Sequence, residues 1–133
     1  MITVVLGIGS NCGDRVRNVE KAMDWLSTVL AVEEHSAIYE TPCAKKIGRP
    51  YMNAVVSGKF EGTSDELDLI LKNYEKEEGR DKRCRERGDV PIDIDIVIAE
   101  ETIIKEWDYR QKFFQIGFSE INILMPDNIG KDL

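Results

Sequence analysis

Two aspartates separated by a single residue stand in an alternating segment late in the chain. Residues 91–98 read PIDIDIVI, with acids at Asp93 and Asp95. Side chains two apart in a β-strand share a face, so the carboxylates would face one space with Cα atoms roughly 6.5 to 7 Å apart. Such paired charges are costly unless a cation lies between them. Oxygen ligands with no histidine or thiolate nearby favour magnesium, and the alternative is an edge strand with its acids in solvent.

A group of basic residues precedes this acidic pair, within residues 79–88. Its members are Arg80, Lys82, Arg83, Arg85 and Arg87. Such cations neutralise polyphosphate charge through directed hydrogen bonds, and together with magnesium they are the recurring equipment of phosphoryl transfer. A solvated charge run and an RNA-binding loop are the alternatives. RNA binding is the weaker of these, because no aromatic residue interleaves the cations and the formal net charge is −7.

The hydrophobic pattern around these groups predicts six elements joined by short polar segments. We expect strands at 2–8, 31–39, 51–60 and 91–98, and helices at 14–30 and 63–79. Asp14 is a candidate N-cap for the first helix, and Thr63 to Glu66 has the form of a capping box for the second. Residues 43–50 and 79–88 are predicted to be loops, the former joining two strands of a hairpin. A final aromatic element beyond Ala99 is expected to cover the core.

The order strand, helix, strand, strand, helix, strand predicts an α+β protein with a ferredoxin-like sandwich, in which helices cover one face of an antiparallel sheet. Its 133 residues fit a single domain over 1–133. The hydrophobic share of 42% and charged share of 32% favour a folded globular chain. Many activities occur on this fold, so the fold alone does not predict a function.

Several other features exclude common classes of site. Cys12, Cys43 and Cys84 are too widely spaced for a paired-cysteine zinc site and are odd in number. His35 is the only histidine and is expected at the surface. Residues 7–14 lack the spacing of a dinucleotide or phosphate loop, and they favour a strand-to-helix turn. The apolar start has no basic region before it, so we expect a cytoplasmic protein with neither membrane nor nucleic-acid partners.

Five motifs in register resemble the hydroxymethyl-dihydropterin pyrophosphokinase family over about residues 1 to 98. They are Gly9-Ser10-Asn11 with Gly13-Asp14-Arg15, Tyr39-Glu40-Thr41-Pro42, Tyr51-Met52-Asn53, Glu75 with Gly79-Arg80, and Ile92 to Ile96. The resemblance implies transfer of pyrophosphate from ATP to the hydroxymethyl group of a reduced pterin, giving AMP, in folate biosynthesis. It also implies the ferredoxin-like fold, and we expect a monomer.

The resemblance also implies roles for individual residues. Asp93 and Asp95 would bind two Mg²⁺ ions and, with Arg80 and Lys82, form the catalytic group. The implied ATP contacts are Lys72, Glu75, Arg80, Lys82, Ile96, Tyr109 and Arg110. The implied pterin contacts are Thr41, Pro42, Tyr51, Asn53 and Phe114.

One stretch departs from the family pattern. The register places Arg87-Gly88-Asp89-Val90 where the family commonly has tryptophan, glycine, proline and arginine. Arg85 or Arg87 could replace that arginine, and the chain is expected to be a divergent member with a shortened C-terminus. Two alternatives to the enzyme therefore stay open. One is a relative that binds pterin or nucleotide without catalysis, and the other is a ferredoxin-like regulatory module.

Overall fold

A six-stranded antiparallel sheet forms the centre of the protein in a computed structural model, which describes residues 1–45 and 48–123. The predicted domain runs to residue 133, and residues 124–133 lie outside the described part, as do 46 and 47 of the predicted loop. The elements in chain order are β1 (Ile2–Ser10), α1 (Arg15–Val29), β2 (Ala31–His35), β3 (Tyr39–Thr41), β4 (Tyr51–Phe60), α2 (Ser64–Glu77), α3 (Lys82–Arg87), β5 (Asp93–Ala99), β6 (Thr102–Ile103), α4 (Glu106–Tyr109) and α5 (Lys112–Phe118).

The strands run in the order β2-β4-β1-β5-β6, and β3 pairs with β4 beside β2. This arrangement confirms the predicted ferredoxin-like α+β fold. The pairing of β1 with β5 sets Gly7 opposite Asp95 and Gly9 opposite Asp93. The central strand β1 therefore carries glycines beside the acidic pair. Within the described residues, no helix has both the length and the apolar character needed to cross a membrane.

The two faces of the sheet are covered differently. Helices α1 and α2 pack on one face, where Leu6, Leu26 and Leu71 belong to the larger core. The predicted C-terminal element is present as α4 and α5, which cover part of the opposite face with Tyr109 and Phe114. The remaining part of that second face is open. Asp93 and Asp95 lie there, because they alternate along β5 with residues of the larger core.

Local hydrogen bonds begin the two long helices as the sequence predicts. The Asp14 side chain accepts a bond from the Arg17 backbone at 3.2 Å, at the start of α1. At the start of α2, Thr63 Oγ1 accepts from the Glu66 backbone at 3.1 Å, and Glu66 Oε1 accepts from the Thr63 backbone at 3.1 Å. These bonds satisfy backbone donors that the first turn of a helix leaves unpaired.

The structure corrects two of the predicted elements. The strand predicted over 31–39 is interrupted at Ser36, whose hydroxyl accepts from the Val55 backbone at 2.9 Å in place of a regular ladder bond. The segment predicted as a loop over 79–88 contains α3. Asp81 caps this short helix by accepting from the Cys84 backbone at 2.9 Å, and Gly88 ends it with a left-handed φ of 71°.

Helix α5 is attached to the sheet through Tyr39 and Gly117. The Tyr39 hydroxyl donates to the Phe113 carbonyl at 2.6 Å and accepts from the Gly117 amide at 3.0 Å. A Cβ atom at Gly117 would lie 2.6 Å from Val55 Cγ2 and 2.8 Å from the Tyr39 hydroxyl. Position 117 therefore requires glycine because the helix approaches the strands so closely.

We expect Gly117→Ala to lower the free energy of unfolding by about 2 kcal/mol, the usual scale for an overpacked core position. Urea denaturation followed by circular dichroism measures the effect. Lys112→Ala on the same helix is the control, because Lys112 is exposed. Equal stability of the two variants would contradict the close contact.

Candidate active site

A cavity of about 600 Å³ opens on the uncovered part of the second face, a volume suited to a small-molecule ligand. Gly7 and Gly9 of β1 contribute to its floor. A Cβ atom at Gly9 would lie 3.2 Å from the Tyr51 ring and 3.6 Å from Asn53 Oδ1. The lack of side chains at Gly7 and Gly9 therefore provides space between the acidic strand β5 and the polar residues of β4.

The two predicted metal ligands lie together at one end of this cavity, in contact with three cations. Arg80 donates to Asp93 Oδ1 at 2.7 Å. Lys105 and Lys72 both donate to Asp95 Oδ1, at 2.9 Å and 3.3 Å. The cations reach β5 along an edge that β6 leaves unpaired, since β6 pairs only at Ile98 and Ala99.

A third carboxylate, Glu75 of α2, links two of these cations to the backbone of β5. Its Oε1 accepts from Arg80 at 2.7 Å, and its Oε2 accepts from Lys72 at 3.0 Å and from the Ile94 backbone amide at 2.9 Å. Glu75 is only 4% exposed. A buried carboxylate with this many donors fixes the direction in which Lys72 and Arg80 enter the cavity.

The two aspartates differ in their electrostatic surroundings. Burial, together with hydrogen bonding and repulsion from Asp95, raises the pKa of Asp93 to about 7. Burial also disfavours ionised Asp95, but its hydrogen bond with Asp93 and the Lys72 and Lys105 ammonium groups outweigh this effect and hold its pKa well below the usual range. Burial likewise disfavours the charged forms of Lys72 and Arg80, yet the surrounding carboxylates raise both pKa values.

The raised pKa of Asp93 predicts how stability depends on pH in metal-free protein. Between about pH 4, where an aspartate in the unfolded chain titrates, and about pH 7, the native state keeps a proton that the unfolded state has released. The free energy of unfolding should therefore fall as pH rises through this window. The pKa of Asp95 is lowered, so this residue changes the free energy of unfolding only at more acidic pH.

We expect Asp93→Asn to remove this decline. Urea denaturation at pH 4.5 and 7.5 in the presence of EDTA measures it, and the wild type should lose more stability than the variant between the two values. A decline of equal size in both proteins would contradict the raised pKa.

Polar residues predicted to contact the pterin line the same cavity across β1 from the aspartates. Asn53 Nδ2 donates to Thr41 Oγ1 at 2.8 Å and to the Tyr39 carbonyl at 3.2 Å. Thr41 and Asn53 are buried, and Pro42 and Tyr51 also line the cavity. Burial raises the pKa of Tyr51 to about 12. The structure thus brings these four residues together, about a fixed amide group that can hydrogen-bond a heterocycle.

The predicted strand-to-helix turn holds the segment that leads to the aspartates. Asn11 Nδ2 donates to the Gly88 carbonyl at 2.9 Å, while its Oδ1 accepts from the Val90 amide at 2.6 Å. The Asn11 backbone amide also donates to the Val90 carbonyl at 2.9 Å. These three bonds fix Val90 at the cavity wall, where its side chain supplies no charge.

Three residues with implied ligand contacts lie in the core instead of at the cavity surface. Ile96 belongs to the larger core under the helices. Tyr109 and Phe114 are buried in the smaller core. The neighbour of Phe114, Phe113, lines the cavity in its place. Adjacent residues on a helix point to different sides, so the rotation of α5 about its axis sets Phe113 at the cavity and Phe114 in the core.

The other predicted cations remain at the surface. Lys82 is exposed on α3, and Arg110 pairs with Glu106 at 2.7 Å outside the cavity. Arg87, one proposed substitute for the missing arginine, donates to Asp89 at 3.0 Å, and Arg49 also contacts Asp89. Neither Lys82 nor the α3 arginines line the cavity. Among the described cations of the basic segment 79–88, Arg80 is the one that contacts the acidic pair.

Sequence reasoning missed four residues that line the cavity after β6, namely Lys105, Trp107, Asp108 and Phe113. Trp107 is half exposed and lies beside Phe113 with ring centroids 6.0 Å apart. No period in residues 100–118 indicates which side chains face the site. The sequence therefore offers no signal that separates these four residues from their neighbours.

The fold and cavity define a ferredoxin-like α+β protein with paired carboxylates and basic side chains at one end of a small-molecule site. Residues 5–123 match the family model of 7,8-dihydro-6-hydroxymethylpterin-pyrophosphokinase (HPPK). The chain therefore belongs to the HPPK family.

Named relatives include bacterial and plant proteins. The chain is 37% identical over 107 residues to the 2-amino-4-hydroxy-6-hydroxymethyldihydropteridine pyrophosphokinase of Aquifex aeolicus, covering 79% of this chain and 66% of that protein. It is 35% identical over 102 residues to the protein of the same name from Porphyromonas gingivalis, with 74% and 69% covered. The folate synthesis bifunctional protein of Arabidopsis thaliana is 34% identical over 96 residues, with 71% and 20% covered. The chain thus spans about two thirds of the bacterial relatives and a fifth of the plant protein.

Proposed function

We propose that this chain catalyses magnesium-dependent transfer of pyrophosphate from ATP to the hydroxymethyl group of 6-hydroxymethyl-7,8-dihydropterin, releasing AMP, as a step of folate synthesis. One observation carries the proposal. A carboxylate pair in contact with Lys72, Arg80 and Lys105 lies in the same cavity as the buried Thr41 and Asn53 pair. Charges suited to a metal polyphosphate and hydrogen-bonding groups suited to a heterocycle therefore face one space.

The donor set fits magnesium. Burial, with a hydrogen bond to Asp95 and repulsion from that carboxylate, raises the pKa of Asp93 to about 7. A divalent cation between the two carboxylates would relieve their repulsion, and Mg²⁺ commonly takes one or two carboxylates and completes its shell with phosphate oxygens and water. When bound, Mg²⁺ would neutralise phosphate charge and make the phosphorus more electrophilic.

The protein's own groups would orient the two substrates. Glu75 directs Lys72 and Arg80 towards the acidic end, where both could donate to phosphate oxygens. Asn53, held by Thr41, would set the heterocycle so that its hydroxymethyl group points to the phosphates. Phosphoryl transfer through a loose transition state depends mostly on positioning and electrostatics, so a strong general base is not required.

The direct experiment incubates purified protein with ATP, Mg²⁺ and 6-hydroxymethyl-7,8-dihydropterin, and measures AMP by chromatography. AMP should form only when the pterin and Mg²⁺ are both present, and EDTA should abolish its formation. Hydrolysis of ATP without pterin is the control reaction. Absence of pterin-dependent AMP at high enzyme concentration would contradict the proposed activity.

A second candidate function, ligand binding without turnover, is favoured by Val90. This apolar residue lines the cavity where the family resemblance leads one to expect an arginine. Calorimetry that shows pterin and nucleotide binding without AMP formation, unchanged in Val90→Arg, would support this second candidate. A monomeric state and a cytoplasmic location stay predictions from the sequence.

A further inference from the structure

Lys105 is a cation at the cavity that neither the sequence motifs nor the family resemblance assigns. It follows β6 and is the N-cap residue of α4. Its backbone amide donates to the Val97 carbonyl at 3.3 Å, which holds this part of the chain against β5. Its ammonium group lies 2.9 Å from Asp95 Oδ1, and its side chain keeps 41% of its exposure. The charge is therefore close to the acidic pair and open to the cavity.

Lys105 and Lys72 share the same carboxylate oxygen but are held very differently. Lys72 lies 3.3 Å from Asp95 Oδ1, and it also donates to Glu75 and to the Ile94 carbonyl. Within the part of the chain that the structure describes, the Lys105 ammonium group donates to Asp95 alone. A divalent cation on Asp95 would compete with both ammonium groups. Lys105 is the one that leaves more readily, because Lys72 keeps its other two partners.

We propose that Lys105 is a phosphate-binding residue. In the ligand-free site its ammonium group is paired with Asp95. When a divalent cation occupies that carboxylate, the ammonium group leaves Asp95 and binds the nucleotide polyphosphate. This inference rests on the proposed function. It supplies a mobile positive charge to a cavity whose Val90 wall has none. Release removes repulsion between the ammonium group and the entering cation, and the phosphate oxygens offer the ammonium group a new acceptor.

The inference predicts opposite effects of Lys105→Met on two ligands measured by isothermal titration calorimetry. Affinity for Mg²⁺ with α,β-methylene-ATP, an analogue that cannot transfer pyrophosphate, should fall about tenfold, the scale of one hydrogen bond to a charged group. Affinity for Mn²⁺ alone should rise, because a competing cation has been removed from Asp95. Affinity for AMP, which lacks the distal phosphates, should stay unchanged and shows that the variant is folded.

Two further variants separate charge from other causes. Lys105→Arg should keep most of the affinity for the analogue. Lys112→Met, at an exposed lysine of α5, should change neither affinity. Wild-type protein that fails to bind the analogue would overturn the proposed function and this inference with it. Wild-type binding that Lys105→Met leaves unchanged, or a loss of Mn²⁺ affinity in that variant, would overturn the inference alone.

Discussion

Asp95→Asn is expected to lower kcat for pterin-dependent AMP formation by about 1000-fold, the scale found when a group that stabilises transition-state charge is removed. Asp95 is 8% exposed, faces the cavity and carries Lys72 and Lys105 on one oxygen. An amide binds Mg²⁺ poorly, removes the anionic partner of Lys105 and leaves Lys72 paired with Glu75 alone. The change should therefore weaken metal binding and misplace two cations together.

Steady-state kinetics and calorimetry with Mn²⁺ measure these two effects separately. Asp24→Asn on α1 is the matched control, since Asp24 is exposed and α1 packs on the other face of the sheet. Retention of wild-type kcat and Mn²⁺ affinity in Asp95→Asn would exclude Asp95 as a metal ligand.

Glu75→Ala is expected to lower the free energy of unfolding by about 3 kcal/mol, the lower end of the range for removing one partner of a buried ion pair. The lower end applies because Lys72 and Arg80 keep 34% and 37% of their side-chain exposure and can partly regain water. The substitution also leaves the buried Ile94 amide without its acceptor. Activity should fall as well, since both cations lose the group that directs them.

Urea denaturation at neutral pH measures the stability change. Glu77→Ala, two positions further along α2 and exposed, should stay within about 0.5 kcal/mol of the wild type. Glu75→Gln tests the separate contribution of charge, because it keeps an acceptor for Ile94. If Glu75→Ala were as stable as Glu77→Ala, the ionic contacts of Glu75 would contribute nothing to the fold.

Local sequence patterns were sufficient to predict an element, or the face on which its side chains lie, where the pattern falls within one short segment. The extended pattern of 51–60 predicted β4 with its observed limits, and the two capping signals correctly predicted the starts of α1 and α2. Alternation along 91–98 set Asp93 and Asp95 on one face of β5. Burial of Ile92, Ile94 and Ile96 in the larger core leaves the carboxylates only the other face. The α+β order followed from these elements and from the rules of chain connection.

The missed features depend on contacts between distant parts of the chain or on the register of very short elements. Lys105 reaches Asp95 because β6 turns the chain back along β5, and no local pattern encodes that return. Phe113 and Phe114 are equally aromatic, and only the rotation of α5 decides which faces the cavity. The break at Ser36 arises because a hydroxyl competes with the backbone for Val55. The ligand-binding roles of the site residues stay predictions.

The balanced ionic network described above bears on which solutes the ligand-free site can attract. Glu75, Asp93 and Asp95 are matched by Lys72, Arg80 and Lys105. Alternating charges at such short range largely cancel at a distance, so the cavity mouth exerts little long-range pull on either anions or cations. Free inorganic phosphate and free divalent ions would each find the counter-charges of this network already engaged with one another. Under the proposed function, a ligand that brings metal and polyphosphate together would exchange partners with the carboxylates and the cations at once, so the network would select the metal complex of a nucleotide.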